Sequence, residues 1–330
     1  MTDDKKEFLK RVKEYQKDLQ KARDEIAKVV VGQNRVVNGF LRALMCNGHV
    51  LVEGIPGIAK TLIVRALAKV CGCEFSRIQF TADLLPTDII GITTYEKEKG
   101  FYIVKGPIFS NFILGDEINR APPKVQSALL ECMQERQVTI GKETFQMEEP
   151  FIVMATQNPI ESLGTYPLPE AQIDRFLFKL YIKYPSLDEE QKILTQNVTI
   201  KNFDEYNLQV ILSQRKLIEL SKDVHKIYLD KKIEHYIVQI IDATRHPDKY
   251  NLKLGKFIEW GASPRGAISI YIAAKADALM NGQIFTTPHN AKLVAHDVLR
   301  HRILLNYEGQ SESITTDDVV SEILSKIPVP

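Results

Sequence analysis

Residues 49–70 constrain this chain most. An apolar run, HVLVE, reaches Gly54-Ile55-Pro56-Gly57-Ile58-Ala59-Lys60-Thr61, and a helical stretch, LIVRALAKV, follows. A strand feeding a glycine-rich turn, with Lys-Thr opening the next helix, is the setting of a phosphate-binding loop. Backbone N–H groups of the loop and of the helix start would cradle a β-phosphate. Lys60 would reach the β- and γ-oxygens, and Thr61 would ligate Mg²⁺. The candidate phosphate contacts therefore run from Gly54 through Ile55, Pro56, Gly57, Ile58, Ala59, Lys60 and Thr61 to Leu62. Ala59 stands where the pattern has Gly; only a methyl is added, and the loop is expected to tolerate it. The plain alternative is an ordinary glycine turn before a helix, and the strand together with Lys-Thr argues against it.

The same alternation extends to about residue 185. Short apolar runs at 49–53, 112–115, 151–155 and 176–182 are bounded by Gly, Asp, Asn or Pro. Runs of this length read as buried parallel strands, and their alternation with helical stretches predicts βαβ units with helices on both faces of the sheet. The run at 112–115 ends in Asp116-Glu117. After a phosphate loop, an Asp in that place holds the Mg²⁺ shell, and the adjacent Glu can act as general base on water. Without the loop, the pair would read as a solvated strand end. Residues 93–104 and 137–147 read as hairpins turning near Gly100 and Gly141.

After Pro185 the pattern turns helical. Ser186, Ser263 and Thr287 precede helical stretches, with Pro264 and Pro288 at the first helical position. Gly282 and Gly309 are the expected stops. At the other end, Phe8, Val12, Tyr15, Leu19, Ala22, Ile26 and Val29 form one apolar seam, flanked by the pairs Glu7–Arg11 and Asp24–Lys28. About three heptads is the minimum for a coiled coil, so this helix is expected to lie against its own core.

Lys plus Arg is 43 and Asp plus Glu is 42, a net charge of +1. That balance argues against binding nucleic acid mainly through phosphates, although a local basic channel stays compatible with it. Cys46, Cys71, Cys73 and Cys132 lack metal-ligand spacing and read as reduced thiols. The seven histidines have no paired spacing, and Trp260 reads as packing. The N-terminus lacks an apolar signal core, and no apolar run approaches the ~18 residues of a membrane span. A cytoplasmic protein is expected.

Six stretches in order carry a resemblance over nearly the whole length. They are VVVGQ at 29–33, GIPGIAKT at 54–61, LGDEINRAPPKVQSALLECMQE at 114–135, ATQNP at 155–159, LPEAQIDRF at 168–176 and GASPR at 261–265. With them the chain resembles the MoxR family of AAA+ ATPases, in the helix-2-insert branch. The resemblance implies an α/β fold: a P-loop αβα sandwich with a parallel sheet, plus a C-terminal all-α lid. It implies an N-terminal helix at 1–30, a nucleotide-binding core at 31–195 and the lid at 196–330. Val31, Gly32 and Gln33 would lie beside adenine, and Asn158 would be sensor 1, positioning water with Glu117. Arg175 would be the arginine finger that reaches the ATP of the neighbouring subunit. Arg265 would be sensor 2, folding from the lid onto the γ-phosphate of its own chain. The two hairpins would be the helix-2 and pre-sensor-1 inserts. Gly115 departs from the family's more usual Ala.

The implied ligands are ATP/ADP and Mg²⁺, and the implied assembly is a hexameric ring. The implied role is chaperone-like remodelling of partner proteins, often ones with a von Willebrand factor A domain. Arg265 would be the second residue of its helix, where a cation opposes the helix dipole at about 0.3–1 kcal/mol. That placement favours a ligand anion over a pair with Glu259. Arg120 stays open between a subunit or nucleotide contact and a strand-end surface residue. Two other functions are weighed: a nucleic-acid motor or restriction-type NTPase, and a nucleotide-gated switch with little turnover. The presence of Glu117 and Arg175 argues against the switch.

Overall fold

The computed structural model describes residues 3–54, 60–98, 100–158, 164–196 and 202–330. Five strands form one parallel sheet: β1 (Val50–Gly54), β2 (Phe75–Gln79), β3 (Phe112–Asp116), β4 (Ile152–Gln157) and β5 (Phe178–Ile182), in the spatial order β2-β3-β4-β1-β5. Four of these are the apolar runs of the sequence. The fifth, β2, carries no such run. It is the sheet edge, and its FSRIQ sequence buries only Ile78, so the apolar signal of a buried strand is missing.

Side-chain alternation sends each strand into two cores. Val50, Val52, Leu114, Met154 and Leu180 join one cluster with the helices Asn34–Met45 and Lys60–Val70. Leu51, Ile113, Val153 and Ala155 join the other, against the helix Pro123–Glu135. Each such fully buried aliphatic side chain contributes roughly 1.5–3 kcal/mol. A charge at Leu51, which is 0% exposed, would disrupt the buried core under the sheet.

Both expected hairpins are present, as Gly91–Glu96 with Gly100–Lys105 and Gln137–Ile140 with Glu143–Gln146. The helix Asp3–Ala27 buries Val12, Leu19, Ala22 and Ile26 within the same core as the sheet. Its flanking charges do not pair along the helix as expected. Arg11 reaches Asp223 (Nε–Oδ2 2.6 Å), joined there by the Tyr15 hydroxyl. Lys28 takes Glu25 at 2.7 Å, and Asp24 accepts from Gln20. For Arg11 a long-range partner on a buried surface outcompetes a solvated i,i+4 pair of a few tenths of a kcal/mol, whereas Lys28 pairs locally at i,i+3 rather than i,i+4.

The C-terminal region holds the helices Gln214–Lys226, Lys231–Arg245, Pro264–Met280, Pro288–Leu299 and Thr316–Lys326, with a small antiparallel pair, Ile258–Trp260 and Leu304–Leu305. Gly282, at φ 74°, follows the helix ending at Met280. Gly309 ends no long helix: Pro288–Leu299 stops ten residues earlier, and Gly309 lies inside the short helix Tyr307–Ser311. The region is held to the sheet domain by buried polar contacts. Arg42 Nε meets Asp277 Oδ1 at 2.8 Å, and Arg300 Nη1 donates to the Lys179 carbonyl at 2.6 Å. Among the described residues no helix is long and apolar enough to cross a membrane. All four cysteines are free.

Candidate functional site

Parallel strands give the sheet a carboxyl edge and an amino edge, and the predicted site residues divide between them. At the carboxyl edge, β1 ends at Gly54, and a Cβ there would stand 2.9 Å from the Ile182 carbonyl of β5. A side chain here would press on the β5 backbone, which glycine avoids. Ile55, Pro56, Gly57, Ile58 and Ala59 lie outside the described residues. Lys60 opens the following helix and donates from Nζ to the Gly54 carbonyl at 2.5 Å. Partial burial pulls its pKa below the ordinary value, opposed by the carboxylates of Asp116, Glu117 and Glu53. Thr61 follows it in the first turn, and Leu62 packs on the core. Gln33 donates to the Lys183 carbonyl at 2.8 Å, just past β5, which brings Val31, Gly32 and Gln33 to this same edge. Gly32 has φ 71°, the left-handed region.

Asp116 closes β3. Its Oδ1 accepts from the Thr156 hydroxyl at 2.7 Å, and its Oδ2 takes Arg77 Nη2 at 2.6 Å. Glu117 adopts φ 57°, and its Oε2 accepts from Gln79 at 3.0 Å and pairs with Arg120 Nε at 3.1 Å. Arg120, with its side chain 44% exposed, holds the neighbouring glutamate. Asn158, one residue past β4, is buried. Pro159, the last residue of the ATQNP stretch, lies outside the described residues. Among the described residues no group of three or more His, Cys, Asp or Glu could hold a metal. A hydroxyl at Thr61 and a carboxylate at Asp116 are hard oxygen donors that suit Mg²⁺, with phosphate and water completing the shell. Arg77, Gln79 and Thr156 escaped the sequence reading, because their contacts depend on strand register: Gln79 lies opposite Asp116, and Ala155 opposite Gly115.

At the amino edge the chemistry is cationic. A cleft of about 260 Å³ is lined by Arg136, Arg175, Arg265 and Arg302 with one carboxylate, Asp174. Arg302 is buried and gives Nε to Asp174 Oδ1 at 2.7 Å and its other donors to backbone carbonyls, including Phe176 at 2.7 Å. Burial pushes its pKa down to about 10. The second oxygen of Asp174 accepts from the Ser263 hydroxyl at 2.8 Å. Arg136 is spent on the Asn47 and Phe151 carbonyls, and Arg175 gives one nitrogen to the Leu130 carbonyl at 2.9 Å. Among the described residues no carboxylate pairs with Arg265, Glu259 included.

This arrangement corrects the expectation that Arg265 folds over its own chain's phosphates. His49 and Leu177 line the same cleft and precede β1 and β5, and the Leu177 N–H donates to the His49 carbonyl at 2.8 Å. The phosphate loop leaves the opposite end of β1, roughly 16 Å away at strand rise. Arg265 therefore stands with Arg175, on the far edge from Lys60. The lid is seated there by Arg302 and Ser263 on Asp174, a long-range contact invisible in the GASPR stretch. Trp260, expected as packing, is 68% exposed.

The comparisons with known proteins agree with this architecture. Residues 49–178 match the model of the ATPase family associated with various cellular activities (AAA), and residues 255–323 match an AAA lid domain. Chaperone MoxR1 of Mycobacterium tuberculosis is 45% identical over 315 residues, covering 94% of this chain and 82% of that protein. Protein MoxR of Paracoccus denitrificans is 31% identical over 318 residues, covering 92% and 93%. A crystal structure of a candidate ATPase from Cytophaga hutchinsonii superposes with a TM-score of 0.91 at 46% identity, covering 97% of each chain. With its five-stranded parallel sheet, its lid and these relatives, the chain belongs to the MoxR family of AAA+ ATPases.

Proposed function

We propose that this chain hydrolyses ATP in an Mg²⁺-dependent reaction and uses the cycle to remodel partner proteins, acting as a ring of its own copies. The carrying observation is the separation of the two edges: acids and the lysine at one, four arginines with a single aspartate at the other. In a head-to-tail ring the amino edge of one chain faces the carboxyl edge of the next, and each site is completed by two chains. A hexamer is the size that the family resemblance favours.

Within that reading, residues 54–62 hold the phosphates and Val31, Gly32 and Gln33 flank the base. Lys60 binds the β- and γ-oxygens, and Thr61 and Asp116 hold the metal. Bound Mg²⁺ supplies positive charge against the phosphate oxygens. Glu117 accepts a proton from the attacking water, after release from Gln79 and Arg120, while Asn158 orients that water. Arg175 and Arg265 both act on the neighbour's γ-phosphate, where transition-state charge develops. The division into an N-terminal helix at 1–30, a nucleotide core at 31–195 and a lid at 196–330 belongs to the same reading, with the helix and lid packed on the core. The favoured partner is a protein with a von Willebrand factor A domain, on the strength of the family resemblance. The balanced charge favours a protein client over nucleic acid.

The test is phosphate release by the wild-type chain, Lys60→Ala and Glu117→Gln, alongside binding of a fluorescent ATP analogue. Binding retained by Glu117→Gln and lost by Lys60→Ala, with turnover only in the wild type, is expected. Equal phosphate release by all three would overturn the reading.

A further inference from the structure

We infer that the Thr156 hydroxyl is a positioning group that sets the two acidic residues of the site together, an inference that rests on the ATPase reading above. Thr156 lies in β4, the central strand, and is 0% exposed. A threonine hydroxyl has one proton to give and lone pairs to receive. Here the proton goes to Asp116 Oδ1 at 2.7 Å, and a lone pair takes the Glu117 backbone N–H at 2.9 Å. One side chain thus grips two consecutive residues that are assigned different tasks.

The second bond has a particular purpose. Glu117 sits at φ 57°, a left-handed conformation that a non-glycine residue keeps only where its surroundings enforce it. The bond from its own N–H to Thr156 is such an enforcement, and it turns the glutamate away from the strand direction of Asp116. Asp116 has two anchors, Thr156 on one oxygen and Arg77 on the other. The Arg77 side chain is 48% exposed, so the buried hydroxyl is the fixed anchor of the two. Without it the carboxylate follows a solvated arginine, and the backbone of the base loses its tether. Chemistry that depends on placement then suffers, because a shift of about 1 Å costs on the order of 100-fold in rate.

Serine and alanine at this position have nearly the same volume and differ in the one oxygen, so Thr156→Ser and Thr156→Ala isolate it. Three measurements are needed on each: affinity for a fluorescent ATP analogue without metal, the Mg²⁺ concentration that half-saturates the metal-dependent gain in that affinity, and single-turnover hydrolysis. Thr156→Ser is expected to match the wild type within about threefold in all three. Thr156→Ala is expected to keep metal-free affinity, to need several-fold more Mg²⁺, and to hydrolyse about 100-fold more slowly. Should Thr156→Ala not fold, the isosteric Thr156→Val takes its place in the same comparison. Equal hydrolysis and equal Mg²⁺ dependence in the hydroxyl and non-hydroxyl variants, with Glu117→Gln inactive, would overturn the inference and leave the ATPase reading standing. A parallel loss of metal-free affinity and of thermal stability would also overturn it, as the mark of a packing role. Equal phosphate release by the wild type, Lys60→Ala and Glu117→Gln would instead remove the ATPase reading itself.

Discussion

At the carboxyl edge of the sheet both acids near the phosphate loop have partners: Asp116 holds Arg77 and Thr156, and Glu117 holds Gln79 and Arg120. At the amino edge four arginines share one aspartate, and that aspartate is already taken up by Arg302 and Ser263. The first edge is close to charge balance before a nucleotide arrives, so a triphosphate must displace or rearrange its ion pairs. The second holds an excess of cation: beyond the Arg302–Asp174 pair, no carboxylate among the described residues lines the cleft. Such a cleft focuses positive potential outward and favours an anion brought by another molecule. On the proposed reading the difference teaches that neither edge is a site alone: one recognises the nucleotide, and the other supplies charge to a transition state formed elsewhere.

That contrast can be broken at several points. The largest effect is expected from Arg175→Ala, which should slow hydrolysis by roughly 10³–10⁵ while leaving ATP-analogue affinity near that of the wild type, since an arginine supplied across subunits acts chiefly on the transition state. Steady-state phosphate release together with equilibrium binding checks it; a matching loss of affinity would place Arg175 at the wrong edge. Glu117→Gln, at the opposite edge, should reduce single-turnover hydrolysis by about 10²–10⁴ with binding intact.

A stability measurement sharpens the comparison further. Asp174→Ala leaves the buried Arg302 guanidinium without its acid and frees Ser263, which caps the helix Pro264–Met280 by accepting from the Arg265 N–H. Denaturant unfolding should show a loss of about 3–5 kcal/mol. The lysine edge, more than three residues of strand away, should keep its ATP-analogue affinity in the folded protein.

The smallest expected effect concerns pH. His49, beside the arginine cleft, accepts from Val153 N on Nδ1 at 3.0 Å and faces the Met133 carbonyl with Nε2 at 3.1 Å. Those partners require the neutral ring. Burial, reinforced by Arg136, pushes its pKa down to about 3, from an ordinary 6.5. Between those values the unfolded chain binds a proton that the folded chain refuses. The contribution of His49 is therefore fully present above pH 6.5 and declines as pH falls toward 3. The slope is about 1.4 kcal/mol per pH unit for one proton. Denaturant melts at a series of pH values should show that slope between pH 4 and 6, and His49→Gln should flatten it by the same amount. An unchanged slope would mean that the ring is charged in the fold.

Much of this was legible in the residues themselves. Four strands announced themselves as apolar runs, because a parallel strand buried on both faces needs them. The edge strand β2 did not, because half of it meets solvent. Lys60, Asp116 and Glu117 could be found because each sits at a strand end or helix start in a fixed order. Thr156, Gln79 and Arg77 could not, since they reach the acids across neighbouring strands and only register brings them there. Arg265 shows the sharper lesson. Its place at a helix start, ill suited to a cation, argued against a pair with Glu259, and among the described residues no carboxylate pairs with it. Which edge it faced depended on Arg302 and Ser263 meeting Asp174, contacts between residues roughly ninety and more positions apart.

The most direct test of the two-edge arrangement is ATPase activity in mixtures of inactive chains, under conditions in which subunits exchange. If Arg175 and Arg265 both act across the interface, a Lys60→Ala chain still offers both arginines to a neighbour with an intact loop. Lys60→Ala mixed with Arg175→Ala, or with Arg265→Ala, should then recover up to about one quarter of wild-type turnover at equal amounts, the share of interfaces with the productive order in a closed ring. Arg175→Ala mixed with Arg265→Ala should recover nothing, because no chain offers both arginines to an intact neighbour. The reverse pattern, rescue in that last mixture and none between Lys60→Ala and Arg265→Ala, would mean that Arg265 serves its own chain and would contradict the division of the site between two edges.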